Sequence, residues 1–265
     1  MCLIIFSWQP NAKRMLTLAS NRDEFYERPS QDAHFWEDSP NIFGGRDLKM
    51  QGTWLAVSRN MRFAAITNFR SPESQTYLRS RGEIPHLFLN STLSAIDYSA
   101  QIPKQEFAGF NALLFDGEHL VYCHNQKDKQ GQYSAGTILP AGHYGLSNHL
   151  LNTPWPKVVR AKNALHGTEA LNQLTDISKH LLTALQDQEI AADENLPSTG
   201  ISIEFERLLS APFISSPIYG TRTSTVVLIE KKIENRQVYF HERQYQQNVN
   251  QFKDQTFTFT HPSDA

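Results

Sequence analysis

The amino-acid sequence predicts an α+β fold in which two β-sheets are packed between layers of helices. Predicted strands come first along the chain, helices follow, and strands return at the end. The first predicted strand, Leu3 to Trp8, is apolar at nearly every position, as expected of a central strand that is buried on both faces. With 265 residues the chain can bury a large core, and we expect a single domain over 1–265.

The N-terminal region predicts a β-hairpin that leads into a charged segment. Turn residues at 9–12 separate Leu3 to Trp8 from a returning strand, Met15 to Ala19. We expect the returning strand to end at residues 20–24, which read Ser-Asn-Arg-Asp-Glu. Strand ends open onto clefts, so polar groups there are often functional. Taken alone, however, the segment is more typical of a solvated loop that contains an ion pair.

The remaining elements follow from hydrophobic periodicity and from turn residues. Glycine-marked turns are predicted at 43–47 and 51–54, and Ser80 with Glu83 has the spacing of a helix capping box. An acidic segment at 187–200 predicts a mobile loop, and residues 235–236 predict a turn. The predicted helices are 80–88, 91–102, 154–167, 170–185 and 202–210; the predicted strands are 54–58, 62–67, 111–115, 120–124, 143–146, 226–229, 238–243 and 256–260.

Composition excludes several classes of function. The net charge is −2 and the pI is near 6.6, so neither a nucleic-acid partner nor an anionic membrane surface is expected. Two cysteines make no disulfide framework, which favours a reducing cytoplasm. The first apolar run is too short for a signal peptide, and no stretch has the ~18 apolar residues of a membrane helix. We therefore expect a cytoplasmic protein without membrane insertion.

Cys2 is the first candidate functional residue. If Met1 is removed, the thiol and a free α-amino group belong to the same residue, and they titrate near ~8.5 and ~8. The amine can then accept the thiol proton, as it does in N-terminal threonine nucleophiles. The alternative is that Cys2 is a small buried apolar residue without reactivity, which is the commoner role of a free cysteine.

Polar residues recur at the predicted ends of strands, and their types suit attack by a thiol on a carbonyl carbon. Asp23 could hold the α-amino group, and the amide of Asn68 or Asn148 could donate to a developing oxyanion. Arg22 and Arg222 could stabilise a thiolate or a carboxylate. Each residue alone is more typical of a structural role, so the prediction of a site rests on their joint occurrence.

The motifs of the chain resemble those of the NRDE family, also called the transport and Golgi organisation protein 2 family. The resemblance runs along nearly the whole chain. It is carried by Cys2, Asn21-Arg22-Asp23-Glu24, Gly44-Gly45-Arg46-Asp47, Gly52-Thr53-Trp54, Thr67-Asn68, Ser80-Arg81-Gly82, Leu146-Ser147-Asn148, Pro154-Trp155-Pro156-Lys157 and Tyr219-Gly220-Thr221-Arg222-Thr223-Ser224-Thr225. It implies the N-terminal-nucleophile hydrolase fold, with four layers ordered α-β-β-α.

Within that fold, the chain resembles penicillin V acylases and bile salt hydrolases. By this likeness Cys2 corresponds to their nucleophile, and Arg22 and Asp23 flank it. Asn148 resembles their oxyanion-hole asparagine, with the asparagine at position 68 near it, and Arg222 resembles their active-site arginine. This implies a cysteine hydrolase of non-peptide amide or acyl thioester bonds, which requires no metal.

The family resemblance also implies a different role, in haem trafficking, and links to lipid and coenzyme A metabolism. On this basis the first hypothesis is a cytoplasmic haem-binding chaperone that passes haem on, with haem as a non-covalent ligand. The hydrolase is the alternative, and a scaffold with a degenerate site is a third. The partner is thus haem or an acyl-type small molecule. Ten histidines are present without a haem-attachment motif, and none is assigned as a ligand.

Overall fold

Two compact units, each with one antiparallel sheet and its own helices, make up the part of the chain that the computed structural model describes, residues 2–71 and 76–262. The first unit comprises residues 2–27, 141–147 and 151–262. The second comprises the described parts of Arg28–Pro140 and Asn148–Leu150. The predicted α+β class is therefore confirmed, with two sheets and a helix layer on each. Met1, whose removal the sequence analysis predicts, lies outside the described residues.

The elements are numbered in chain order. The strands are β1 (Cys2–Trp8), β2 (Arg14–Phe25), β3 (Ser30–Phe35), β4 (Ile42–Asp47), β5 (Leu55–Ser58), β6 (Phe63–Asn68), β7 (Phe110–Phe115), β8 (Leu120–His124), β9 (Thr137–Ile138), β10 (Gly142–Leu146), β11 (Tyr219–Lys231), β12 (Asn235–Tyr245) and β13 (Phe252–Pro262). The helices are α1 (Glu83–Asn90), α2 (Ala95–Gln101), α3 (Pro156–Asn163), α4 (Leu174–Leu185) and α5 (Ile203–Leu208).

The first unit is a six-stranded sheet in the order β10-β1-β2-β11-β12-β13. Because β1 and β2 lie inside this sheet, both can be buried on their two faces, as the apolar run of β1 predicts. One face carries α3 on β1 and β10, and α4 on β2 and β11. The α4 stripe of Ile177, Leu181, Leu182 and Leu185 is fully buried against Leu3 and other core residues. Each such side chain stabilises the fold by about 1.5–3 kcal/mol.

The second unit is a seven-stranded meander in the order β3 to β9, with α1 packed on its middle strands. Two of its glycines are required by close approach rather than by turn conformation. A Cβ on Gly52 would lie 2.4 Å from the backbone of Gly82, and one on Gly45 would lie 2.3 Å from the Trp54 ring. The Gly52-Thr53-Trp54 motif thus packs against Gly44-Gly45 on one side and against Ser80-Arg81-Gly82 on the other.

Several predicted boundaries are wrong, and the errors share a cause. Strand β2 continues to Phe25 instead of ending near Ser20, and β11 already begins at Tyr219. A strand covers 42–47, where glycine-marked turns were expected, and β12 begins at Asn235, where a turn was expected. In each case pairing with a neighbouring strand satisfies the backbone of residues whose side chains are polar or small.

None of the helices in residues 2–71 and 76–262 is long and apolar enough to cross a membrane.

Candidate active site around Cys2

The residues around Cys2 lie inside paired strands rather than in loops. Cys2 is directly opposite Arg22 in the β1–β2 pairing, and on the other side of β2 Arg22 is opposite Thr223 of β11. Cross-strand partners share a face of the sheet, so the thiol and the guanidinium lie on the same face. Cys2 is 9% exposed and Arg22 is 5% exposed. The sequence-predicted neighbours Cys2 and Arg22 are therefore brought together in a largely buried setting.

Asp23 lies on the opposite face of β2, because successive residues of a strand alternate. It shares that face with Ala19, which packs in the core with the helices, and with Asn21. The Thr221 hydroxyl donates to Asp23 Oδ1 at 2.7 Å. Asp23 is thus adjacent to Arg22 in sequence but directed toward the helix layer, and its expected role in holding the α-amino group of Cys2 stays a prediction.

Lys157 of α3 is the main partner charge of Asp23. Both side chains are 1% exposed. Burial raises the pKa of Asp23, and the positive charge of Lys157 is the largest of the effects that oppose the rise. Sequence reasoning did not assign Lys157 a role, although its motif Pro154-Trp155-Pro156-Lys157 was available as a signal. Lysine is rarely buried unless it is paired. Because Lys157 is enclosed in the first turn of α3 next to the buried carboxylate of Asp23, we count it as part of this cluster.

Asn21 has a structural role that its motif did not reveal. Its Nδ2 donates to the carbonyl oxygens of Leu185 and Pro212, both at 2.9 Å, and its Oδ1 accepts from the Ser224 hydroxyl at 2.5 Å. These bonds fix β2 to the end of α4 and to the loop before β11. Both polar groups of the Asn21 side chain thereby have hydrogen-bond partners, although the residue is fully buried.

The surroundings of Cys2 disfavour its thiolate. Burial raises the pKa of the thiol, Asp23 and Glu24 raise it further, and Arg22 opposes them. Arg22 also pairs with Glu24, with 3.8 Å between Nη2 and Oε2. A neutral thiol beside a cation needs a base before it can attack a carbonyl carbon. The other free cysteine, Cys123, is buried with a pKa raised to about 12, which excludes it as a nucleophile at neutral pH.

The backbone of Cys2 is held by Ser147. The Ser147 hydroxyl donates to the Cys2 carbonyl oxygen at 3.0 Å, and Ser147 follows β10, the strand that pairs with β1. The first residue of β1 is therefore fixed from two directions, by β2 and by the end of β10. This is a positioning role that the sequence analysis did not assign.

A β-bulge places Arg222. Thr221 is opposite Asp23 and Thr223 is opposite Arg22, so Arg222 is the extra residue of the bulged strand. Its Nη1 donates to the carbonyl oxygen of Phe25 at 3.3 Å. The described hydrogen bond of Arg222 thus goes to the far end of β2, and a role beside the thiol stays a prediction.

Asn68 and Asn148 belong to the second unit. Asn148 Nδ2 donates to the Asn68 carbonyl oxygen at 3.0 Å, and the Asn148 carbonyl accepts from the Arg70 backbone amide at 2.7 Å. Asn148 is fully buried. These contacts bring the two asparagines together and fix segment Asn148–Leu150 against the end of β6. Their assignment as oxyanion donors stays a prediction.

The second unit also has a partly open, largely apolar cavity of about 390 Å³. Helices α1 and α2 and the segment after α2 form it, with Ile84, Leu87, Tyr98 and Phe107 in its lining and Arg79 at its side. The volume is in the lower part of the ~300–1,000 Å³ range of small-molecule sites. It could hold a compact apolar ligand.

Comparison with known proteins gives matches along the chain. The profile of the Transport and Golgi organisation 2 family matches residues 1–247. The mouse Transport and Golgi organization 2 homolog is 32% identical, with 98% of this chain and 99% of that protein covered. The bovine Transport and Golgi organization protein 2 homolog is 33% identical, with 87% and 89% covered.

Among solved structures, the chain is similar to a Caenorhabditis elegans ortholog of N-acylethanolamine-hydrolyzing acid amidase. The identity is 12%, the TM-score is 0.43, and the match covers 85% of this chain and 92% of the nematode chain.

Proposed function

This chain belongs to the Transport and Golgi organisation 2 family, and on that premise we propose that Cys2 is the nucleophile of an amide or acyl thioester hydrolase. The observation that carries the proposal is the buried pairing of Cys2 with Arg22, next to the buried charges of Asp23 and Lys157. Burying charges costs several kcal/mol per ion unless they are compensated. Arg22 is buried beside the thiol, and Asp23 and Lys157 are buried on the helix side of the same strands, which favours a catalytic role over a structural one.

The chemistry follows from the groups at the start of β1. After removal of Met1, the α-amine takes the thiol proton, and the sulfur attacks the substrate carbonyl carbon. The carbonyl π electrons move to oxygen; when they return, the bond to the leaving amine or thiol breaks and the α-ammonium supplies its proton. Water then attacks the Cys2 thioester, giving a carboxylic acid and the free thiol. Arg22 stabilises the thiolate, and Ser147 holds the backbone of Cys2 in place.

The experiment joins intact mass with trapping. Protein from its native host is analysed by mass spectrometry before and after incubation with a set of acyl p-nitrophenyl esters and acyl coenzyme A thioesters. We expect loss of one methionine and an acyl adduct on Cys2, absent in Cys2→Ala and retained in the matched variant Cys123→Ala. Retention of Met1, or an adduct that persists in Cys2→Ala, would refute the mechanism.

A second candidate function is haem binding and haem transfer, as the family resemblance implies. Membership along residues 1–247 and the apolar cavity of the second unit support it. The test is titration with haemin, followed by absorbance. We expect saturation at micromolar protein, weakened about tenfold by Leu93→Trp, which fills the cavity, and unchanged in Leu78→Trp, whose parent side chain is 99% exposed. Absence of a saturable change would exclude this role.

The Cys2→Ala variant separates the two candidates. A haem carrier that does not use the thiol keeps its haemin affinity in this variant, whereas the hydrolase loses its adduct. In both cases we propose that the protein acts in the cytoplasm on a small molecule, without a metal ion in the reaction at Cys2.

A further inference from the structure

Two histidines and one glutamate meet on the first unit, away from the residues assigned to chemistry at Cys2. His143 lies on β10, His166 begins a single 3-10 turn that follows α3, and Glu169 caps the end of that turn. One ligand atom from each of the three lies within 4.8 Å of the others. We propose that His143, His166 and Glu169 form a binding site for a divalent transition-metal ion of the Zn²⁺ type, a property separate from the proposed hydrolase and haem functions.

The distances suit a metal ion better than a direct ion pair. His143 Nε2 is 3.7 Å and His166 Nδ1 is 3.9 Å from Glu169 Oε1, both longer than a hydrogen bond. Ligands of a tetrahedral Zn²⁺, at 2.0–2.2 Å from the ion, are about 3.4 Å apart. The three ligand atoms lie within 4.8 Å of one another, so rotations of the exposed His166 and Glu169 side chains that move these atoms by about an ångström close the difference. The imidazole rings already lie side by side, with centroids 5.1 Å apart.

The donor set selects the class of ion. Two imidazole nitrogens and one carboxylate oxygen suit Zn²⁺ and its neighbours in the first transition row, and they do not suit Ca²⁺ or Mg²⁺, which prefer oxygen ligands. The Nδ1 of His143 is enclosed and has no hydrogen-bond partner in the described residues, so Nε2 is the ring atom that faces Glu169. His166 and Glu169 are 67% and 66% exposed, which leaves coordination positions open to water.

The backbone that carries the ligands is fixed independently of any ion. His143 is held in the sheet opposite Ser7. The turn between His166 and Glu169 is held by Arg14, whose guanidinium donates to the carbonyl oxygens of Thr168 at 3.2 Å and Leu171 at 2.9 Å. Only side-chain rotamers of His166 and Glu169 need to be ordered on binding, so the entropic cost is small.

The test is calorimetric titration of EDTA-treated protein with ZnCl2. We expect one ion per chain, with affinity reduced about tenfold or more in His166→Ala and in Glu169→Gln. His119→Ala is the matched control, because His119 and Glu118 make a similar 3.9 Å pair without a second histidine. All three variants change exposed side chains, and circular dichroism checks that they are folded.

Substitution with Co²⁺ gives a second readout. Four- or five-coordinate Co²⁺ bound by imidazole absorbs visible light through d–d transitions, and we expect this band in the wild type and in His119→Ala but not in His166→Ala. No saturable Zn²⁺ binding, or equal affinity in the wild type and His166→Ala, would overturn the proposal and leave the cluster as a pair of His–Glu contacts.

Discussion

The two units bury polar groups in different ways. Near Cys2 the first unit encloses charged side chains, Arg22, Asp23 and Lys157, inside or against its central strands. The second unit buries three cations, Arg62, Arg70 and Lys104, but none of its described carboxylates, and it encloses the amide of Asn111 completely. Asn111 Nδ2 donates to the Thr67 hydroxyl and to a backbone carbonyl, both at 3.1 Å. Neutral amides with their hydrogen bonds made cost little to bury, whereas charges lose much of their hydration energy.

On the proposed function, this difference separates polar groups that hold the fold together from polar groups that serve the chemistry at Cys2. The amide cluster is explained by the strands and turns that it joins. In the charged cluster, burial raises the pKa of both Cys2 and Asp23, which does not stabilise the fold. The Asn-Arg-Asp-Glu segment of β2 contains both kinds, so substitutions along it test the distinction one residue at a time.

Asn21→Ala should have the largest effect on stability. It removes an amide with three hydrogen bonds and leaves two buried carbonyl groups and a hydroxyl to find other partners, so we expect the free energy of unfolding to fall by about 3 kcal/mol. Asn111→Ala should cost a similar amount in the second unit. Urea denaturation at pH 7 measures both. If the free energy of unfolding falls by less than about 1 kcal/mol in both variants, the two buried amides do not have the structural role inferred here.

Asp23→Asn should change how stability depends on pH. Because burial raises the pKa of folded Asp23, the folded chain keeps a proton that the unfolded chain has released, between the ordinary and the raised value. Stability is therefore full below that window and falls as pH rises through it, by about 1.4 kcal/mol per pH unit at most. Urea denaturation from pH 4 to 8 should show this slope in the wild type and not in Asp23→Asn.

Asp254→Asn is the control for that profile. The hydrogen bond from Arg243 lowers the pKa of Asp254. The contribution of Asp254 to stability therefore rises with pH, and it does so at lower pH than the change caused by Asp23. If Asp23→Asn shows the same dependence of stability on pH as the wild type, a group other than Asp23 titrates in this range.

Arg22→Gln should slow the reaction of Cys2 with iodoacetamide. Arg22 lowers the pKa of the thiol, so its removal raises that pKa and decreases the thiolate fraction at pH 8, and the alkylation rate falls in proportion. Peptide mass spectrometry gives the rate at each pH, with the buried Cys123 as an internal unreactive reference. An unchanged pH–rate profile would mean that Arg22 does not act on the sulfur.

Glu24→Gln should have the smallest effect, and its sign should be opposite. Glu24 raises the pKa of Cys2, so the variant should react faster, by about threefold, since partly exposed charges interact by less than ~1 kcal/mol. The same alkylation assay measures it. A slower reaction would indicate that Glu24 acts mainly by holding Arg22 in place.

The sequence predicted the elements whose signals are local. The apolar run of β1 and the stripe of α4 follow from periodicity along a few turns or residues. The polar half of β2 could not be assigned to a strand, because its second pairing partner, β11, is about 200 residues away. The partners of Asn21 at Leu185 and Pro212, and of Asp23 at Lys157, depend on tertiary packing in the same way.

The extra residue in β11 has a consequence for engineering. Thr221 and Thr223 are already opposite Asp23 and Arg22, two consecutive residues of β2, so deletion of Arg222 would remove the bulge and leave a continuous register. Thr221 would stay opposite Asp23, and its hydroxyl would keep its acceptor. The bulge therefore absorbs the loss of one codon, which at a regular position of the same strand would turn every preceding residue to the other face of the sheet.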